Sequence, residues 1–556
     1  LPRLGRGGWG VRASPRTRGP EWKVAEPFAL VSVAEMRALE AAAVAAGTPE
    51  RVLQERAGLA VGDVIEAELA TPGQVGRRRP SVLVLAGTGN NGRDGVVAGR
   101  RLAARGCRVQ VWHGPRSPLS RQETRDLVAE GVSFHQFEGE TPTPALMAAL
   151  GGADVVVDGL LGVGSRGPMR PELAAVARAV RETRIDGRLV AAVDVPSGID
   201  ADTGDVPGSV VSADVTVTFG AVKTGLLRFP AAHHVGRLVT ARIGLPAGST
   251  DALPYFVLDE AHVRQMVPER PLDAHKYRLG RVLVVAGSDQ YVGAACMCSE
   301  AAARAGAGFV SVATTEAVKH VLAGRLPEAT YPLTVADLDA QPEATADRIA
   351  ELLPGQDILL VGPGLGRAPT TDRFVRRLLA ANGSRQRVSS AIIDADALSL
   401  LAGWERWWEQ IGEGNVLTPH AGEMARLLES DPELEKIDGE PPWETARRAA
   451  ARWNQIVVLK GPFTAVAASS GPAYVYPHAN SALATAGTGD VLAGTIAGLG
   501  AQRGALTESA MLGVVVHALA ARRATTSTGR RTLVASDLTG EIPRVLAALE
   551  AEGDRR

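Results

Sequence analysis

The sequence predicts an α/β protein of two domains, each built on a largely parallel sheet wound by helices. Two stretches of the 556-residue chain open in the same way, Ser81-Val-Leu-Val-Leu-Ala-Gly87 and Arg281-Val-Leu-Val-Val-Ala-Gly287. Each reads as a buried strand, a Gly-rich turn and then a helix, expected over Val96–Arg105 and Ala294–Ala305. Further strands follow, Val155–Val157, Leu189–Val193 and Val215–Phe219 in the first half, and Ile358–Val361, Ala391–Ile393 and Ile456–Leu459 in the second. Strands apolar on both faces belong to parallel sheets covered on both sides. Gly, Pro and Ser gather between the two series, at Gly244–Pro254. The expected domains are 28–246 and 258–550, joined by a linker at 247–257.

Composition narrows the function classes. Hydrophobic residues make up 45% and charged residues 22%, with a formal net charge of −1. That balance is ordinary for a globular protein and supplies no basic field for nucleic acid. Apolar runs such as Val82–Leu85 fall far short of the ~20 residues that span a bilayer. Three cysteines, Cys107, Cys296 and Cys298, are too few for a disulfide framework and have no usual zinc spacing. They read as reduced thiols, which favours a cytoplasmic compartment. Residues 1–27 open on Arg, Gly and Pro without an apolar core and read as a disordered extension or an overcalled start. Whether the chain forms homo-oligomers is left open.

In the first half, Gly87-Thr-Gly-Asn-Asn-Gly-Arg-Asp-Gly95 lies between a strand and a helix. Glycines let backbone approach a phosphate, and a helix N-terminus favours an anion. Alone, this turn reads equally well as a tight turn with capping side chains. Asp158–Gly167, Asp194–Asp200 and Phe219–Gly225 follow three further strands. Ligands of open α/β sheets bind beyond the carboxyl ends of strands, so four polar loops converge on one crevice.

These residues resemble the NAD(P)H-hydrate epimerase family, which implies a Rossmann-like fold. The resemblance implies that Asn90, Asn91, Gly92, Arg93 and Asp94 contact the hydrated nucleotide. So should Gly162, Val163, Gly164, Ser165, Arg166, Gly167 and Pro168, together with Asp194. It also implies a potassium ion held by Asn91, Asp158 and Ser197 with backbone carbonyls, and oxygen ligands suit such a hard cation. Asp194 is the expected proton-handling carboxylate, with Lys223 as a second catalytic candidate. The family's loop reads Asn-Asn-Gly-Gly-Asp-Gly, and Arg93 stands at its second glycine. If that position needs a positive φ, Arg is strained there; alternatively it adds a phosphate contact.

In the second half, Asn480-Ser-Ala-Leu-Ala-Thr-Ala-Gly-Thr-Gly-Asp490 leads into an apolar helix. Its turn and helix end form an anion hole of the kind a transferring phosphoryl group requires. Asp490 is placed to take a proton from an attacking hydroxyl, and its bland alternative is a helix cap. Lys460-Gly-Pro-Phe-Thr464, Gly362-Pro-Gly-Leu-Gly366, Asp394-Ala-Asp396 and Leu417–Glu423 all follow strands.

With His275-Lys-Tyr-Arg-Leu-Gly280 and Tyr291–Ala295, these motifs resemble the nucleotide-dependent NAD(P)H-hydrate dehydratase family, a ribokinase-like fold, from about Asp273 onward. The resemblance implies hydrate contacts from Ala294, Gly366, His420 and Asp490. It implies nucleotide contacts from Lys460, Gly461, Pro462, Phe463, Thr464 and Gly489, with ADP as co-substrate and Mg2+. The implied reaction phosphorylates the hydrate hydroxyl and then eliminates phosphate. The alternative is a ribokinase-like kinase for a small alcohol, fused to a nucleotide-binding domain without catalysis. Separate cores predict that each half folds alone.

Overall fold

The computed structural model describes residues 26–70, 79–334, 340–384, 390–434 and 439–553, so the 1–27 extension lies outside them up to position 25. The first half supplies strands β1 (Phe28–Val31), β2 (Ser81–Ala86), β3 (Arg108–His113), β4 (Ser133–Gln136), β5 (Val155–Gly159), β6 (Leu189–Val193), β7 (Val215–Phe219), β8 (Val222–Lys223) and β9 (Arg237–Ala241). Seven of them form one sheet in the order β4-β3-β2-β5-β6-β7-β9, every pair parallel. The order reverses direction between β2 and β5, which opens a crevice at that switch point. Every residue of β2, β5, β6 and β7 is buried, as two-sided helix cover demands of apolar strands.

The second half supplies β10 (Tyr255–Val257), β11 (Arg281–Val285), β12 (Phe309–Thr314), β13 (Thr330–Thr334), β14 (Ile358–Val361), β15 (Ser390–Ile393), β16 (Val416–Leu417), β17 (Ile456–Leu459), β18 (Ala465–Ala467) and β19 (Ala473–Val475). The run β13-β12-β11-β14-β15-β16-β17 is parallel, and β18 and β19 add an antiparallel ribbon.

The halves are joined by more than a linker. β10 pairs in parallel with β19, β1 pairs antiparallel with β10, and β8 pairs in parallel with β1. The first described strand therefore belongs to the second sheet, and the segment 247–257 contains a strand of that sheet. One hydrophobic core also holds Leu226, Leu227 and Ala231 of the first half beside Phe463, Trp443 and Trp407 of the second. The expectation of wholly separate cores is corrected here, because the apolar residues after β8 are buried in the same core as those of the second half.

Candidate active sites

The first site lies at the switch point. The helix after β2 runs Asn90–Ala104, starting six residues before the expected Val96. Asn90 to Asp94 are thus first-turn residues rather than a loop. A Cβ on Gly92 would stand 2.0 Å from the Gly87 carbonyl oxygen, and one on Gly87 would stand 1.9 Å from that of Leu160. Only glycine permits this approach, which seats the turn after β2 against the loop after β5. A cavity of about 1170 Å³ opens over the junction, lined by Gly87 to Gly92, Asp94, Leu160 to Ser165 and Asp194.

Asp194 follows β6 with φ +62. Its Oδ1 accepts from Lys223 Nζ at 2.5 Å, Thr218 Oγ1 at 2.9 Å and the Phe219 amide at 3.2 Å. A non-glycine residue held at positive φ by three donors marks a position that the surroundings over-determine. Lys223, 1% exposed on β8, lies behind Asp194 and does not line the cavity. It also donates to Thr218 Oγ1 and the Phe219 carbonyl. Asp94 is buried, and its Oδ1 has no hydrogen-bond partner. Burial first, then the charges of Asp194 and Glu40, push its carboxyl up to about 8.

Below the cavity floor, Asp158 is wholly buried. It accepts from the Ser197 amide at 2.8 Å and from Ser197 Oγ at 2.6 Å. Burial pushes its carboxyl up to about 6, and no cationic side chain among the described residues pairs with it. The Asn91 amide nitrogen reaches the carbonyls of Val193 at 2.6 Å and Leu161 at 3.1 Å. Asn91, Asp158 and Ser197, predicted as a set, are brought together through Leu161, whose amide donates to Ser197 Oγ at 2.9 Å.

Of the expected substrate contacts, Asn90, Asn91, Gly92, Asp94, Gly162, Val163, Gly164, Ser165 and Asp194 line the cavity, while Arg93, Arg166, Gly167 and Pro168 do not. Arg93 is helical without positive φ. Its guanidinium turns to Glu123 at 2.7 Å and the Pro118 carbonyl at 3.1 Å, so neither strain nor a free phosphate contact arises there. Arg166 is exposed and 3.7 Å from Asp202. Sequence reasoning missed Arg37, Glu40, Glu50, Arg116, Phe137 and Arg170, all at the cavity. They sit in no motif, and only folding carries them to the crevice.

The second site gathers at strand ends β14, β15, β16 and β17. The helix after the Gly-rich turn is Thr488–Arg503, capped by Gly487 at φ +89. Asp490 is its third residue, so the capping alternative does not describe it. Burial, then the charge of Asp394, push its carboxyl up to about 7. Lys460 Nζ reaches Asp394 Oδ1 at 2.8 Å and lies beside Gly489, 3.2 Å from where a Cβ would stand. Asp394 is fully buried, accepts from Thr418 Oγ1 at 2.7 Å and leaves Oδ2 without a partner. Ala395 follows at φ +52. Although the strand-end series included Asp394, no role was assigned to it, and its partnership with Lys460 emerges only in three dimensions.

His420 is half exposed and caps the helix Ala421–Glu429 in a reciprocal arrangement, its Nδ1 accepting the Gly422 amide while Glu423 accepts its own amide. A parallel bridge sets His420 beside Lys460. Gly366 has φ +81, and its amide donates to Asp396 at 2.9 Å. Ala294 packs on Gly364. In the loop after β17 Gly461 is exposed, and Thr464 Oγ1 donates to its carbonyl. Phe463 is buried and faces Phe229 of the first half at 5.8 Å. Pro462 is exposed.

A family model described as NAD(P)H-hydrate dehydratase matches residues 282–544, and one described as YjeF-related protein N-terminus matches 50–225. The bifunctional NAD(P)H-hydrate repair enzyme of Moorella thermoacetica is 38% identical over 531 residues, 94% of this chain and 97% of the relative. The chain belongs to the bifunctional NAD(P)H-hydrate repair enzyme family. Its Leishmania major relative is 33% identical, with 89% of each chain covered. A solved ADP/ATP-dependent NAD(P)H-hydrate dehydratase of Bacillus subtilis, co-crystallised with ATP and Mg2+, is 29% identical over 53% of this chain and 98% of its own, at a TM-score of 0.45. The repair-enzyme family's epimerase region carries Asn90 to Lys223, and its dehydratase region carries Asp394, Lys460 and Asp490. No helix among the described residues is long and apolar enough to cross a membrane, and all three cysteines are free.

Proposed function

We propose that the first crevice interconverts the R and S hydrates of NADH and NADPH, and that the second site consumes ADP to dehydrate the S-hydrate, releasing AMP and phosphate. What carries this reading is a pair of buried Asp–Lys contacts on one chain, Lys223 on Asp194 at the crevice and Lys460 on Asp394 beside Asp490. At the crevice, Asp194 handles the proton at the hydrated ring, oriented from behind by Lys223 and Thr218. Asp94 remains protonated at neutral pH and faces the same cavity, an acid beside a hydrogen-bonded carboxylate.

At the second site, Asp490 accepts the proton of the hydrate hydroxyl as that oxygen attacks the terminal phosphoryl group of ADP. AMP leaves, and elimination of phosphate from the resulting ester restores the ring double bond. Phosphorylation turns a poor leaving group into a good one. Lys460, Gly489 and the start of Thr488–Arg503 face the charge that develops on the phosphoryl oxygens.

The first site fits a potassium ion. Asn91, Ser197, the Leu161 and Val193 carbonyls and the unpaired Asp158 supply oxygen donors around a buried charge that has no cationic side chain of its own. A bound cation there would steady the loops after β5 and β6. Mg2+ would arrive on the phosphates of ADP, since this ion keeps most of its ligands from phosphate and water. We place the enzyme in the cytoplasm, on the strength of its free thiols.

The test is to incubate the purified chain with mixed hydrate epimers, with and without ADP, and follow the absorbance of reduced nicotinamide. Full conversion with ADP and none without it is expected. Conversion that needs no nucleotide, or that stops at the S fraction, contradicts the scheme.

A further inference from the structure

The epimerase crevice holds a cation that the proposed chemistry does not use. Arg116 follows β3 in the turn His113-Gly-Pro-Arg116 and lines the cavity with Gly114 and Pro115. Its side chain makes no hydrogen bond or ion pair with any described residue. Two other arginines line the cavity but lie elsewhere. Arg37 stands over the loop after β5, 3.5 Å from where a Cβ on Gly164 would be, and Arg170 precedes the helix Pro171–Glu182 on that same side.

Resting on the reading of this crevice as a dinucleotide-hydrate site, the topology sets a direction for the ligand. Asp194, the proton handler, follows β6 on one side of the switch point, so the hydrated ring lies there. The diphosphate falls at the start of Asn90–Ala104, where helix amides and the Gly87–Gly89 turn face the cavity. The adenosine half must then extend to the other side, over β3 and β4. That side presents an apolar wall, with Phe137 buried against Gly114, its Cε2 3.5 Å from where a Cβ would stand. In sheets of this winding the residue ending the second strand meets the adenosine ribose. An acidic side chain there bonds a 2′-hydroxyl, while an arginine accommodates a 2′-phosphate. Here no carboxylate occupies the turn His113–Arg116, and an unpaired guanidinium does.

We infer that Arg116 recognises a 2′-phosphate on the adenosine ribose, so that the epimerase site prefers the hydrate of the 2′-phosphorylated dinucleotide. A guanidinium can grip such a phosphate through two parallel N–H donors. Arg116 is a specificity residue, distant from the reacting carbon.

Two measurements on the full chain test this. The first titrates adenosine 2′,5′-bisphosphate and AMP separately, with the dehydratase site held saturated by ADP, into wild type and Arg116→Gln, with inorganic phosphate as a further arm to detect a bare anion site. Wild type should bind the bisphosphate about tenfold or more tightly than AMP, the size expected of charge-assisted hydrogen bonds, and Arg116→Gln should erase most of that ratio. The second compares kcat/KM for epimerisation of NADPH-hydrate and NADH-hydrate. The variant should lose about tenfold or more for the first relative to the second, chiefly in KM. Equal binding of the two adenosine nucleotides by wild type, competition by inorganic phosphate alone at similar strength, or an equal loss for both hydrates overturns the inference. Should neither hydrate be epimerised, the catalytic reading of the crevice fails, and the nucleotide-binding ratio still decides the role of Arg116.

Discussion

Lys223 reaches Asp194 Oδ1 at 2.5 Å, with its side chain 1% exposed and that of Asp194 8% exposed. The pair joins the end of β6 to β8, the short strand that touches the second domain's sheet through β1. Removing one partner of a buried pair leaves an uncompensated charge, a loss of about 3–5 kcal/mol. Lys223→Met should therefore lower the melting temperature and abolish epimerisation, while Lys223→Met with Asp194→Asn should melt above the single Lys223 variant. Thermal unfolding of the three variants checks it, and a double variant less stable than both singles would contradict the pairing.

The two sites should separate cleanly by one carboxylate each. Asp490→Asn removes the proposed base while preserving shape, so dehydration should fall by about 10²–10⁴-fold with epimerisation retained. Asp194→Asn should do the reverse, consuming the S fraction quickly and then proceeding at the slow spontaneous epimerisation rate. Progress curves on mixed hydrates with ADP distinguish the outcomes. Intact dehydration in Asp490→Asn would remove that residue from the mechanism.

Dehydration should also carry an acidic limb. The base acts as the carboxylate, and burial with the charge of Asp394 pushes Asp490 up to about 7, so the rate should drop as pH falls through 7. Asp394→Asn takes away a neighbouring negative charge and should move that limb to lower pH, even as the lost Lys460 contact reduces the maximal rate. The pH dependence of kcat/KM for the S-hydrate in both proteins measures the shift. A limb that stays in place would mean that Asp490 does not report there.

Potassium should stabilise the fold through the buried Asp158 cluster. Binding to the native state alone raises stability by mass action. The protein should melt higher in KCl than in tetramethylammonium chloride of equal ionic strength, and Asp158→Asn should close the gap. An equal response of wild type and variant to both salts would leave the cluster as a hydrogen-bonded structural element only.

The halves should not part as easily as their sequence suggests. A fragment 258–556 lacks both β1 and β10, so β19 loses its outer neighbour and Phe463 and its core lose Leu226 and Leu227. An exposed strand edge beside bared apolar surface favours aggregation. We expect the fragment to be insoluble alone and rescued by co-expression of the first half, as judged by solubility and gel filtration. A soluble, active fragment would show that the shared sheet is dispensable.

How much was legible follows from the range of the interactions. β6, β7, β14 and β17 have the bounds that their sequence predicts, because short runs rich in β-branched and apolar residues, ended by a polar residue or glycine, have few other uses. Asp194 and Asp490 were legible as residues at strand ends and helix starts. The bounds of the helix at Asn90 were not, since Asn and Gly discourage helix locally, and close packing against Gly87 and Leu160 overrides that preference.

By itself, then, the sequence determined the α/β class, the two series of strands, the family motifs and the carboxylates that face each crevice, all of which depend on spacing along the chain. Tertiary structure alone decided which groups act on those carboxylates. Lys223 stands behind Asp194, Asp394 ties Lys460 beside Asp490, Arg93 turns away to Glu123, and Arg116 reaches the epimerase cavity. It also decided that β1 crosses to the second sheet, more than 200 residues from its partner β10 in the chain. Charge pairing and burial act through space over a few ångströms, whereas sequence pattern records only neighbours along the backbone, and no local periodicity encodes which distant strand covers an open edge.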